Sequence, residues 1–236
     1  MTRTLKALSI LAVTGLAATI IGCSNSSDTT TPPPTKTTPG VGSTYTYDVW
    51  DYDSTANTST PHTDSTYTVI ADTLTMGGKT NVIAIQNADG NTDYYHMESN
   101  GDISKYLSVS MQGILTTKAV WITVPVASHT SQPTVTLLDS SITYSGFPIA
   151  VKVTATSSYL APDSLSISNK MYAASKGLVT ILVDAGIAEN ATVTSTIWYV
   201  PSIFFLGKNV RHDSFSGFAL NRKAAHFETL TSFNVK

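Results

Sequence analysis

Residues 149–156, Ile149-Ala150-Val151-Lys152-Val153-Thr154-Ala155-Thr156, decide the fold. Successive side chains of an extended chain point to opposite faces. Ile149, Val151, Val153 and Ala155 therefore share one face, with Lys152, Thr154 and Thr156 on the other. Val120, Ile122, Val124 and Val126 repeat the pattern upstream, and Tyr45, Tyr47 and Val49 alternate with Thr46, Asp48 and Trp50 near the start. Each run predicts a strand that packs one side into a core.

Between these runs the chain is punctuated by turn residues. Ser65 to Ile70 alternates again after a polar loop containing Pro61, which predicts a first hairpin with the Tyr45 strand. The turns Met76-Gly77-Gly78-Lys79, Asn87-Ala88-Asp89-Gly90 and Ser99-Asn100-Gly101-Asp102 then separate apolar runs at Val82 to Ile85, Tyr94 to Met97 and Ile103 to Val109. Short strands joined by Gly and Asn turns make a meander. Leu178 to Val183 is apolar on both faces, which predicts a central strand, and Val193 to Val200 runs into Pro201. Asn169 to Lys176 and Phe218 to Leu230 stand as possible helices, though neither has an apolar stripe at helical spacing. Val126 to Pro133 lacks linker composition, so one continuous sheet is preferred to two domains. The fold class expected is all-β: a single domain over 44–236, a mainly antiparallel meander of roughly ten strands, strongly curved, open barrel or sandwich-like.

The segment before that domain has a different character. Arg3 and Lys6 precede Ala7 to Ile21, an uncharged and largely apolar run shorter than the roughly 20 residues a spanning helix needs. That is the layout of a signal peptide, here residues 1–22. The run ends Ile20-Ile21-Gly22-Cys23, which resembles the lipobox of bacterial lipoproteins. The resemblance implies a diacylglyceryl group on the Cys23 thiol and cleavage between Gly22 and Cys23. Cys23 is the one cysteine of the 236 residues, so no internal disulfide competes for it. Two or more acyl chains anchor a protein firmly. Residues 23–43 read as the lipidated cysteine and a flexible linker, with three consecutive prolines and almost nothing apolar to bury. Ser24 follows the cysteine where many Gram-negative lipoproteins use Asp to stay at the inner membrane. The resemblance therefore implies a lipid-anchored protein of the cell envelope, at the outer membrane.

The order "GSTYTYDVWDYDST", "GGKT", "YYHMESNGD", "STIWYVPSIFFLGKNVR" and "ETLTSFNVK" is similar to secreted β-rich lipoproteins of environmental bacteria. Those open on a Tyr/Trp strand and close on a W-Y-x-P-G-x-G hairpin and a terminal strand. In outline they resemble the curved sheets of outer-membrane lipoprotein carriers and receptors. Ser202 and Phe204 stand here where that hairpin carries glycines. The resemblance carries over no catalytic residue.

Chemistry is sparse. Without the first 22 residues, which hold Arg3 and Lys6, 12 of the 14 basic residues remain against 16 acidic ones, a formal charge of −4 that disfavours a nucleic-acid partner. No G-x-S-x-G elbow is present, and Ser216 before Gly217 lacks its context. His62, His96, His129, His212 and His226 show no i, i+4 pairing, so neither a metal nor any other cofactor is expected. Asp89 to Asp93 begins like a calcium loop, but Tyr94 and Asn100 occupy the glycine and glutamate positions, so a hairpin turn is the better reading. Asp51 and Asp53 share one side of a strand end and Asp48 the other, which suits a solvated end better than a cation site. Acidic residues gather in 44–102 and basic ones near the end, where they could pair across one sheet.

Aromatic residues crowd the first half, and Trp198, Tyr199, Phe204 and Phe205 flank Pro201; core and cross-strand pairing is the simplest account. Ile203-Phe204-Phe205-Leu206 lies between Pro201 and Gly207, two breakers, and is expected to form an exposed apolar lip. Trp198, Tyr199, Ile203, Phe204, Phe205 and Leu206 are thus the candidate contact residues. The leading functional reading is a non-catalytic, membrane-anchored envelope lipoprotein that binds an apolar ligand, a lipid or a protein partner. A surface adhesion or glycan-binding module ranks second and a hydrolase third.

Overall fold

A computed structural model of the chain describes residues 38–108, 110–111, 115–126, 132–144, 147–186, 189–217 and 222–236. Residues 1–37, with the expected signal peptide, Cys23 and most of the expected linker, lie outside the described residues. The strands are β1 (Thr44–Asp53), β2 (Thr58–Ser59), β3 (Thr63–Met76), β4 (Lys79–Gln86), β5 (Thr92–Met97), β6 (Ile103–Leu107), β7 (Ser110–Met111), β8 (Leu115–Thr116), β9 (Val120–Val124), β10 (Val135–Tyr144), β11 (Phe147–Ile167), β12 (Lys170–Asp184), β13 (Glu189–Val200), β14 (Phe205–Gly217) and β15 (Arg222–Asn234). One short 3-10 turn, Pro201–Ile203, interrupts them. Among the described residues no helix is long and apolar enough to cross a membrane.

The expected all-β meander is what forms. One sheet runs in the order β10-β11-β12-β13-β14-β15-β1-β3-β4-β5-β6-β9, with β2 paired to the end of β1, and β7 and β8 make a separate small ribbon. Twelve strands on that path exceed the ten expected. Of the two stretches left open as helices, Asn169 to Lys176 and Phe218 to Leu230, residues 170–176 belong to β12 and residues 222–230 to β15, while 218–221 lie outside the described residues. Propensity yields here to the pairing energy of long neighbours: β12 matches β11 from Lys170 to Asp184, and β15 lies between β14 and β1. Pro39 and Ser43 are buried, Gly40 N donates to Lys236 O at 3.0 Å, and Gly42 N donates to Val69 O at 2.8 Å, so packing begins before Thr44.

The sheet curls until its edge strand β9 lies against β11 and β12, nearly closing a barrel. Ser157 on β11 donates its hydroxyl to the Thr123 carbonyl on β9. Gly177 on β12 makes room for the same approach, because a Cβ there would stand 2.6 Å from Val124 Cγ1. Gly177→Val is expected to lower stability by about 1–3 kcal/mol through overpacking, read as a lower urea midpoint at unchanged slope.

The β11–β12 hairpin outruns its neighbours and turns through Ser168 and Asn169, both at positive φ. Its tip reaches β15: Ser168 Oγ donates to Thr231 O at 2.7 Å, and Tyr172 meets Phe233 edge-on at 5.7 Å. Ile167 is buried beneath it. The larger core cluster joins Tyr45, Tyr47, Val69, Ile85, Tyr95, Ile167, Tyr199, Ile203, Phe205 and Leu230; a second joins Ile122, Leu137, Val151, Val153, Val183 and Ala191. The alternation at Val151, Val153 and Ala155 thus faces the core as expected.

Candidate functional site

Alternation on β1 puts Tyr45, Tyr47, Val49 and Asp51 on one face. Tyr45 and Tyr47 are buried in the core, whereas Asp51 at the far end of that face is half exposed. Register then sets the neighbours. Leu230 pairs with Tyr47, Glu228 with Val49 and His226 with Asp51, while Asn209 and Arg211 on β14 pair with Glu228 and His226. The inner face therefore changes from apolar to polar along these three strands. Above the packed part lies a cavity of about 1160 Å³. Tyr67, Asn209, Arg211, His226 and Glu228 form a polar wall, and Ile122, Val124, Val179, Ile181, Val193 and Phe215 are among the apolar residues facing it. Lys105 and Asp93 also line it, paired at 2.7 Å.

Glu228 is the hub of the polar wall. Tyr67 donates its hydroxyl to Oε1 at 2.5 Å, Asn209 Nδ2 donates to Oε2 at 2.9 Å, and His226 Nε2 stands 3.5 Å from Oε1. The other ring nitrogen of His226 lies 2.6 Å from Asp51 Oδ1. Burial alone would raise the Glu228 pKa, but the hydrogen bonds from His226, Tyr67 and Asn209 and the imidazolium charge together bring it down to about 2. The bond to Glu228 raises His226 against the opposing effect of burial; with Asp51 assisting, the ring reaches about 9. Desolvation also pushes the Tyr67 and Tyr47 hydroxyls up, so both stay protonated donors.

These shifts fix a pH dependence. The folded pKa of Glu228 lies below its ordinary 4.5, so its contribution is present above 4.5 and is lost as pH falls toward 2. That of His226 lies above its ordinary 6.5, so its contribution is full below 6.5 and is lost as pH rises through 9. Stability from this network is expected to peak between those ordinary values and to decline on both sides. Urea midpoints across pH check it, and Glu228→Gln should flatten both limbs.

The structure separates the residues of the expected lip. Ile203 and Phe205 are 1% and 4% exposed, so the expectation that 203–206 stands out as an apolar lip is corrected. Pro201 opens the 3-10 turn, Phe204 takes the left-handed conformation at φ 56, and Phe205 is thereby swung inward at the start of β14. Its ring meets Tyr45 at 4.7 Å and Tyr95 at 5.2 Å. Tyr45 and Tyr47 tie the turn down by donating to Ile203 O at 3.0 Å and Leu206 O at 2.5 Å. Phe205 and Leu206 do line the cavity, and Phe204 is half-buried. Tyr199 is buried with its hydroxyl 3.6 Å from Met97 Sδ. Trp198 lies on the other face, 9% exposed, between the ammonium groups of Lys176 and Lys208 at 4.8 and 5.1 Å, its Nε1 donating to Asp163.

Other candidates resolve into local structure. Asn87 Oδ1 accepts from the Asp89 and Asn91 amides, making the 87–91 loop a hairpin turn. Asp53 Oδ1 accepts from Thr55 N and Ala56 N, and Asp48 pairs with His62 at 2.8 Å. Among the described residues no group of three or more His, Cys, Asp or Glu is placed to hold a metal ion. Among the described residues bases mostly find acids nearby in sequence, as in Lys79–Glu98 and Arg211–Asp213, whereas Asp51–His226 joins residues far apart in sequence. Trp50 stacks on Phe227 at 3.8 Å and 8°, with His62 on its side at 5.4 Å.

The polar wall was the part that sequence reasoning missed. The signal available was a second alternation, Asn209, Arg211 and Asp213 on β14 and His226 and Glu228 on β15, which marks a polar inner face only once the direction of curl is known.

No protein-family model matches the chain, and no curated protein matches it. Among solved structures it is similar to a candidate lipoprotein from Parabacteroides distasonis ATCC 8503, at 11% identity over 84% of this chain and 97% of that one, with a TM-score of 0.47. It is also similar to the hypothetical lipoprotein YmcC from Escherichia coli K12, at 8% identity over 84% and 90% of the two chains, with a TM-score of 0.36. Both carry the name of lipoprotein.

Proposed function

We propose that this chain is a lipid-anchored lipoprotein of the cell envelope, held through Cys23, whose curled sheet receives an apolar or amphipathic small molecule in its interior. The observation that carries the reading is the cavity of about 1160 Å³, lined by aliphatic side chains of β9, β12 and β13 and by polar groups centred on Glu228 and on the Lys105–Asp93 pair. That division of labour, apolar area for affinity and a few polar groups for orientation, is how small-molecule sites are built. Tyr67, Asn209 and His226 are bound to Glu228, and Arg211 and Lys105 to Asp213 and Asp93, so the polar groups hold a fixed surface.

Native mass spectrometry of Pro34–Lys236, the compact unit that contains every described strand, tests it directly when the protein is purified from its own host. A bound mass that dissociates on unfolding is expected. An empty protein that also fails to take up an apolar dye such as 1-N-phenylnaphthylamine would refute it.

The glycan-binding reading is weaker for a geometric reason. A sugar platform needs free aromatic faces, and on the Trp50–Phe227 stack the rings cover each other while His62 takes the outer side. Trp198 is likewise occupied on its faces by two lysines.

A further inference from the structure

We propose that the cavity selects amphiphiles with an uncharged, hydroxyl-bearing head over those with a carboxylate or an ammonium head. This rests on the cavity-binding reading above and adds the chemistry of the ligand's polar end.

Among the described residues the charged side chains that line the cavity are Asp93, Lys105, Arg211, His226 and Glu228, and every one of them is already in an ion pair. Lys105 lies 2.7 Å from Asp93. Arg211 holds Asp213, which is not itself in the lining, by a fork, Nε to Oδ1 and Nη2 to Oδ2 both at 2.7 Å. His226 stands 3.5 Å from Glu228 and 2.6 Å from Asp51, an acid outside the lining and half exposed to water. The lining cations outnumber the lining acids, and Asp213 offsets the excess. An ionised head therefore finds no counter-charge waiting in the wall. It must shed its water to enter, a cost that only pairing recovers, and taking a partner from an existing pair moves the unpaired charge onto the protein.

Hydrogen-bonding capacity, by contrast, is left over. An ammonium has three N–H donors and a guanidinium five; Lys105 commits one to Asp93 and Arg211 two to Asp213. The Tyr67 hydroxyl gives its proton to Glu228 and keeps its oxygen as an acceptor. Glu228 and Asp93 both raise that hydroxyl's pKa by their charge, which places the two polar groups within electrostatic reach of one ring. A hydroxyl head can accept from the spare N–H groups and donate to the Tyr67 oxygen with no charge to desolvate. Its alkyl chain then lies against Ile122, Val179 and Ile181.

The test is isothermal titration calorimetry of Pro34–Lys236 with decanol, decanoate and decylammonium, below their aggregation limits and at neutral pH. Decanol is expected to bind about tenfold more tightly than either ion. An indifferent apolar cavity would give the same order, so two variants that each break one pair carry the discrimination. Asp213→Asn strands the Arg211 charge and should raise decanoate affinity relative to decanol about three- to tenfold. Lys105→Met strands the Asp93 charge and should raise decylammonium relative to decanol by about the same factor, between that of an exposed pair and that of a charge-assisted contact. Urea midpoints establish that each variant is folded, and each is read on its own. Either ion binding the unaltered protein as tightly as decanol, or ratios unmoved in both variants, would overturn the proposal. Binding of none of the three would remove the cavity-binding reading and the proposal with it.

Discussion

Phe205→Ala is expected to lower the free energy of unfolding by about 3–5 kcal/mol, the range for deleting a buried aromatic ring. The ring is 4% exposed and lies against Tyr45 and Tyr95, and its loss would also empty part of the cavity floor. Phe204, one residue earlier, should behave in the opposite way. It sits at φ 56, a conformation that glycine adopts without a steric penalty, so Phe204→Gly should be neutral or stabilising by up to about 1 kcal/mol. Urea unfolding of the two single variants checks both, and equal losses would contradict this account of the turn. The same position is one where the lipoproteins that this sequence resembles carry glycine in their closing hairpin.

Cys23→Ser is expected to abolish lipid attachment altogether in a lipoprotein-processing host. The thiol is the acceptor that the lipobox reading requires, and serine cannot replace it. Labelling with a palmitate analogue should fall to background, and the protein should accumulate unprocessed or in the soluble fraction. A variant that still labels would end the lipobox reading. Fractionation of cells carrying the unaltered chain tests the sorting implied by Ser24: recovery with the outer membrane is expected, and recovery with the inner membrane would contradict it.

Strand positions were legible because they rest on local rules. Alternation at Tyr45 to Val49 and Ile149 to Ala155, and turns at Gly77, Gly90 and Gly101, need only the neighbouring residues to be read. The site was less legible because it depends on curl. Whether Glu228 faces a cavity or solvent follows from which way a twelve-strand path bends, and no window of sequence contains that. Phe205 shows the same limit at one residue: Pro201 does end β13, but Gly207, read as a second breaker, lies inside β14 where the register with β13 shifts, and the ring was placed outside because the left-handed step at Phe204 has no glycine to announce it. Asn169 to Lys176 and Phe218 to Leu230 were ambiguous because the strands found over 170–176 and 222–230 are set by pairing with β11, β14 and β1 rather than by spacing of their own.

The pairing of β1 with β15 carries a kinetic consequence. A chain delivered from its amino terminus exposes Tyr45 and Tyr47 long before Leu230 exists to pack on them, and one edge of β1 waits for residues 224–234. Residues 224–234 must be available before the seam is sealed, so a strand far along the chain completes the middle of the sheet rather than its rim. Pairings this distant along the chain belong to the slow end of folding, on the millisecond-to-second scale. An unfinished intermediate would carry an open, aromatic strand edge, the kind of surface that invites chaperone capture or self-association.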